Sequence, residues 1–102
     1  MADQQSNTGI KERSKSQVRE PRQYQVILHN DNFTPMDFVV MALMKYFNKS
    51  FGEAQALMLQ VHRQGKSVAG IYSYDIAMTK AAVTMRAARE AGYPLKLTCS
   101  PA

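Results

Sequence analysis

Asn30, Asp31 and Asn32 set three short oxygen-bearing side chains in a row. They directly follow an apolar stretch, Tyr24-Gln25-Val26-Ile27-Leu28, and directly precede Phe33-Thr34-Pro35-Met36. Each of the three accepts hydrogen bonds, and Asp31 adds a negative charge. Set at the mouth of an apolar body and beside a helix start, they suit a small pocket with a polar rim. Such a pocket fits a ligand with an apolar group and a polar or charged end. A turn built from Asn, Asp and Pro is ordinary in itself, so the rest of the chain must decide.

The other chemistry-bearing residues are sparse. His29 and His62 are the only histidines and Cys99 the only cysteine, and no spacing among them resembles a zinc site. Neither a metal nor another cofactor is expected. Asp31 with His62 makes half of an acid–base pair, but no serine or cysteine nucleophile stands convincingly beside them, so the chain does not read as an enzyme. Gly65-Lys66-Ser67 imitates the end of a phosphate-binding loop. The full pattern needs a glycine where Gln60 stands, and it runs from strand to helix, whereas this segment leaves a helix and enters a strand. Gly65 reads as a helix terminator. Met58, Val61 and His62 fall along one helical stripe. A core face with a histidine at its border accounts for them; as a ligand contact, His62 would extend the polar rim.

These residues need elements to hold them. Tyr24 to Leu28 predicts a strand. Thr34 as cap, Pro35 at the first helical position and Asp37 in the first turn predict a helix running to about Asn48, with Phe38, Val39, Met41, Leu43 and Phe47 at helical spacing. Ser50 and Glu53 form a capping box for a second helix, which carries Ala54, Leu57, Met58 and Val61 on one face and ends at Gly65. Ser67 to Tyr72 predicts a second strand. Ser73 then caps a third helix with Asp75 in its first turn; Ile76, Ala77, Ala81, Val83, Ala87 and Ala88 supply its apolar and small positions, Arg86 and Arg89 suit its last turns, and Gly92 stops it. Leu95 to Cys99 alternates as a half-buried strand. The expected fold is α/β in the α+β sense: a small two-layer domain of order β-α-α-β-α-β, with a three-stranded antiparallel sheet packed against three helices.

Composition bounds the rest. A chain of 102 residues allows one domain with a modest core. Residues 1–22 offer only Ile10 and Val18 as sizeable apolar side chains, too few to offset chain ordering, and read as a flexible extension before a core domain at 23–102. The pI near 9.6 raises nucleic acid or an acidic surface as a partner. The basic residues of the extension, Lys11, Arg13, Lys15, Arg19 and Arg22, are separated by other residues, which favours a solvated tail. The single cysteine fits a reducing compartment. No signal-type apolar core opens the chain, and the longest apolar run, Phe38 to Met44, is too short to span a bilayer. A soluble cytoplasmic protein is expected.

Three stretches together resemble the ClpS family: Tyr24 through the Asn30-Asp31-Asn32-Phe33-Thr34-Pro35-Met36 run to Val39, Leu57-Met58-Leu59-Gln60-Val61-His62-Arg63-Gln64-Gly65-Lys66, and Tyr93-Pro94-Leu95. This family comprises the adaptors that hand N-end-rule substrates to the Clp ATPase–protease, and the resemblance spans about residues 23 to 99. It implies a non-enzymatic adaptor for proteins that begin with Leu, Phe, Tyr or Trp. By resemblance, Asn30 and His62 contact the substrate's ammonium group, and Asp31 holds the backbone of its next residue. The side chain of the first residue would enter a pocket walled by Ile27, Leu28, Thr34, Met36, Val39, Met58, Val61 and Leu95, with Met36 as the gatekeeper against β-branched residues. Asp75 and Lys80 match the face that docks on the N-terminal domain of ClpA. A monomer is expected, with neither nucleic acid nor a membrane as partner. The chain departs from the family's Asn-Asp-Asp pattern at Asn32, which removes a charge beside the ligand, and at His29, which would add positive charge at low pH. Both departures predict weaker ammonium capture and point to a specialised paralogue. The rival readings are a ribosome- or nucleic-acid-associated module, which this pocket serves poorly, and a small hydrolase using Asp31 and His62.

Overall fold

The computed structural model describes residues 22–102. The flexible extension expected over residues 1–22 lies, Arg22 apart, outside the described residues. Six elements follow in the order β1 (Gln23–His29), α1 (Met36–Phe47), α2 (Phe51–Gln64), β2 (Lys66–Ser73), α3 (Tyr74–Glu90) and β3 (Lys96–Pro101). The strands form one antiparallel sheet of order β2-β1-β3. The three-stranded antiparallel sheet with three helices agrees with the expectation.

Strand alternation divides the sheet into two faces. Val26 and Leu28 of β1, Ala69 of β2 and Leu97 of β3 are buried against the helices. On the other face Gln25 Nε2 donates to Ser100 Oγ at 3.2 Å, and His29 Nε2 is hydrogen-bonded to Thr98 Oγ1 at 2.8 Å. Val26 and Leu28 share the core face by alternation, and the β1–β2 register shifts between Val26, paired with Gly70, and Ile27, paired with Val68, which leaves Ala69 as an extra residue in β2.

Helix α3 meets the sheet through Ala77, Ala81, Thr84 and Ala88, a stripe spaced four, three and four residues apart. Small side chains there let the helix lie close to the sheet. The one hydroxyl in the stripe is satisfied, because Thr84 Oγ1 donates to the Lys80 carbonyl at 2.7 Å. Ile76 and Val83, expected among the apolar positions, share a different stripe and stand about half exposed. In α1 the buried residues are Val39, Val40, Ala42, Leu43 and Phe47, while Met41 turns outward.

The capping box of α2 is complete: Glu53 N donates to Ser50 Oγ at 3.1 Å and Ser50 N to Glu53 Oε1 at 2.8 Å. Gly65 closes the helix at φ 91, a left-handed conformation that favours glycine, and its N–H reaches the Val61 carbonyl at 2.8 Å. The start of α1 differs from the expectation. Pro35 is the cap and Met36 the first helical residue, because the Thr34 hydroxyl is turned towards Asp31.

Candidate functional site

The loop from Asn30 to Pro35 is held by hydrogen bonds of its own and one to the end of α2. The Asn30 N–H donates to the Gly65 carbonyl at 2.9 Å, which ties the end of β1 to the C-terminus of α2, close in sequence to His62. Asp31 then organises the turn. Its Oδ1 accepts from the Phe33 and Thr34 amides, each at 2.7 Å, and its Oδ2 from Thr34 Oγ1 at 2.8 Å. Burial alone would raise the Asp31 pKa. The Thr34 and Phe33 amides, the Thr34 hydroxyl and the positive charge of Arg89 outweigh it and hold the carboxyl below the usual carboxylate range. Asp31 is therefore an anion whose first task is internal, and Oδ2 keeps acceptor capacity for a further donor.

Between this loop, the start of α1 and the second half of α2 lies a cavity of about 210 Å³. Asn30, Asp31, Asn32 and His62 form its polar edge. Thr34, Met36, Val39, Met58 and Val61 form the remaining wall. A further space of about 20 Å³ shares Asn30, Asp31, Thr34, Val39 and Val61 with it and adds His29 and Leu95. Val39, Val61 and Leu95 are buried, Met58 is half-buried, and Asn30, Asn32 and His62 are exposed. The arrangement is a small cavity with Met36, Val39, Met58 and Val61 as its apolar wall and hydrogen-bonding groups along its edge.

Two residues expected in the wall line neither space. Leu28 is 2 % exposed inside the core. Ile27 lies over a separate groove with Gln25, Gln60, Gln64 and Val68. The cause is the alternation of β1: one face of the strand is committed to the core and the other to the open side of the sheet, while the cavity opens beyond its end. Asp75 and Lys80 sit on α3, which contributes nothing to the cavity lining. Asp75 is exposed. Lys80 is half-buried: its Nζ donates to the Tyr46 carbonyl at 2.8 Å and lies 5.3 Å and 5.8 Å from the ring centres of Tyr72 and Phe47.

Arg89 is the contributor that sequence reading missed. Its guanidinium donates to the Tyr93 carbonyl at 2.9 Å and the Leu95 carbonyl at 2.7 Å. These bonds fix the backbone that carries Leu95, which lines the smaller space next to the cavity. The only signal in the sequence was a basic residue in the last turn of a helix. Burial, then Lys96 and Lys66, push the His29 pKa down, so the positive charge expected there at low pH arrives only in more acidic solution. Among the described residues, no group of three or more His, Cys, Asp or Glu side chains is placed to hold a metal ion, and no helix is long and apolar enough to cross a membrane.

Residues 19–98 match the family model described as ATP-dependent Clp protease adaptor protein ClpS. The chain belongs to the ClpS family. It is 53 % identical over 81 residues to the ATP-dependent Clp protease adapter protein ClpS of Lawsonia intracellularis, covering 79 % of this chain and 74 % of that one. It is 47 % identical over 94 residues to the ClpS adapter of Paraburkholderia phymatum, covering 92 % and 89 %. A solved structure of Agrobacterium tumefaciens ClpS2 bound to L-phenylalaninamide superimposes with a TM-score of 0.79 at 37 % identity, covering 81 % of this chain and all of that one. The ClpS fold and the adaptor role thus rest on agreement over nearly the whole described domain.

Proposed function

We propose that this ClpS chain binds the free N-terminus of proteins beginning with Leu, Phe, Tyr or Trp and delivers them to a ClpA-type Clp ATPase. The observation that carries the reading is the cavity: about 210 Å³, walled on one side by Met36, Val39, Met58 and Val61 and edged by the acceptors of Asn30, Asp31, Asn32 and His62. That volume falls below the usual range for drug-sized ligands, roughly 300–1,000 Å³, and suits one side chain. L-phenylalaninamide, the ligand of the related ClpS2 structure, carries one such side chain and a free amino group.

The physical logic is direct. An α-amino group has a pKa of about 8 and is mostly an ammonium at neutral pH, with three N–H donors. Asn30 and His62 accept from it. Oδ2 of Asp31 accepts from the N–H of the next residue. The first side chain descends past Met36 and Met58 towards Val39, Val61 and Leu95, where burying Leu or Phe contributes about 1.5–3 kcal/mol. No bond is made or broken, so the adaptor performs no chemistry of its own. The α3 surface at Asp75 and Lys80 docks on the N-terminal domain of the ATPase, with Asp75 open to the partner and Lys80 holding the surface to the end of α1. The chain acts as a cytoplasmic monomer, without nucleic acid or membrane. Its half-buried free Cys99 fits a reducing compartment.

Asn30→Ala and His62→Ala test the polar edge. Both positions are exposed, so the fold should survive. Each substitution should weaken binding of a fluorescent Phe-initiated peptide at least about tenfold. Unchanged affinity in both would remove the polar edge from the site.

A further inference from the structure

The cavity takes the first side chain of a substrate and little more. Immediately beside it runs a larger apolar groove of about 670 Å³ between α1 and α2. Met36 and Met58 line both spaces and so form their common wall. Beyond that wall the groove is lined by Val40, Met41, Met44 and Phe51, of which the last three are 39 %, 40 % and 57 % exposed. Clustered apolar side chains left open to water mark a binding surface more often than scattered ones do.

We propose that this groove holds an apolar side chain from the second or third residue of the substrate. The proposal rests on the reading above, in which the first residue fills the neighbouring cavity. An extended chain advances about 3.3–3.6 Å per residue and sends successive side chains to opposite sides. A chain leaving the cavity mouth therefore reaches a space that shares the cavity's wall within one or two residues. The lining chemistry fits a variable occupant. Methionine is unbranched and adapts to different partner shapes, and residues behind a recognised first residue differ between substrates. Asp37 and Lys45 both border the groove, so its formal charges balance and it selects for apolar surface over charge.

The test compares two short fluorescent peptides beginning Phe-Leu-Leu and Phe-Ser-Ser on the full chain and on Met44→Glu and Met41→Glu. Both substitutions put a charge at exposed groove positions that do not line the cavity, and circular dichroism checks their fold. The parent should bind the Leu-containing peptide at least about fivefold tighter. Either variant should erase that preference while leaving the Phe-Ser-Ser affinity unchanged. Equal affinities in the parent, or a preference that survives both variants, would overturn the proposal and leave first-residue recognition standing. Failure of the parent to bind either peptide would remove both. Slower ATP-dependent degradation with both affinities unchanged would assign the groove to the ATPase and likewise overturn it.

Discussion

The hydroxyl of Thr34 donates to Oδ2 of Asp31 at 2.8 Å, while the Thr34 amide donates to Oδ1 of the same carboxylate at 2.7 Å. One residue thus grips both oxygens of the anion that shapes the cavity mouth. Thr34→Val keeps the shape and the amide bond but removes the hydroxyl. It should cost about 1–2 kcal/mol at neutral pH, measured by urea denaturation. The sign with pH follows from the lowered Asp31 pKa. The stabilisation is fully present above the carboxyl's ordinary value of 3.8 and is lost as pH falls through the lower folded-state value. The gap between parent and variant should therefore close in strong acid. A gap that is constant down to pH 2 would separate the stability loss from Asp31.

Met36 stands between the cavity and the groove and is 46 % exposed. Its bulk narrows the space next to the first side-chain carbon, where Ile and Val carry an extra branch. Met36→Ala should bring Ile- and Val-initiated peptides to within about tenfold of the Leu-initiated one. Undiminished discrimination in the variant would make Met36 a passive part of the wall.

Asn32 is exposed at the cavity mouth, where the family pattern has a second aspartate. Asn32→Asp restores a negative charge near the ligand ammonium. At a solvated edge the gain is about 1 kcal/mol, or several-fold in affinity, and it should shrink with added salt. Titrating Leu-, Phe-, Tyr- and Trp-initiated peptides at two salt concentrations measures it. No tightening for any of them at low salt would show that position 32 does not sense the ammonium.

Much of this was legible because local chemistry governs it. Ser50 and Glu53 satisfy each other's backbone donors wherever that helix packs, and Gly65 is suited to the left-handed turn that ends it. Asn30, Asp31, Asn32, Thr34 and Met36 are close neighbours in sequence and line one cavity. The misreadings came where tertiary geometry decides. Val26, Ile27 and Leu28 are all apolar, so their run gives no alternation from which to tell the core side from the open side. Thr34 looked like a cap because its competing partner, Asp31, could not be seen to fold back. Arg89 looked like a dipole-neutralising end residue; its role appears only when the chain returns through Tyr93 to place the Leu95 carbonyl beneath it. Ile76 and Val83 are apolar without being core, because the Ala77-Ala81-Thr84-Ala88 stripe already occupies the face turned to the sheet.

The central claim is that this chain reads a free amino group together with the apolar side chain beside it. The measurement is the affinity of one Phe-initiated peptide with a free N-terminus and of the same peptide N-acetylated. Acetylation removes the positive charge and two of the three N–H donors while leaving the side chain intact. The account predicts binding at least about tenfold weaker for the acetylated peptide, a loss of about 1.4 kcal/mol or more. Equal binding of the two would contradict it.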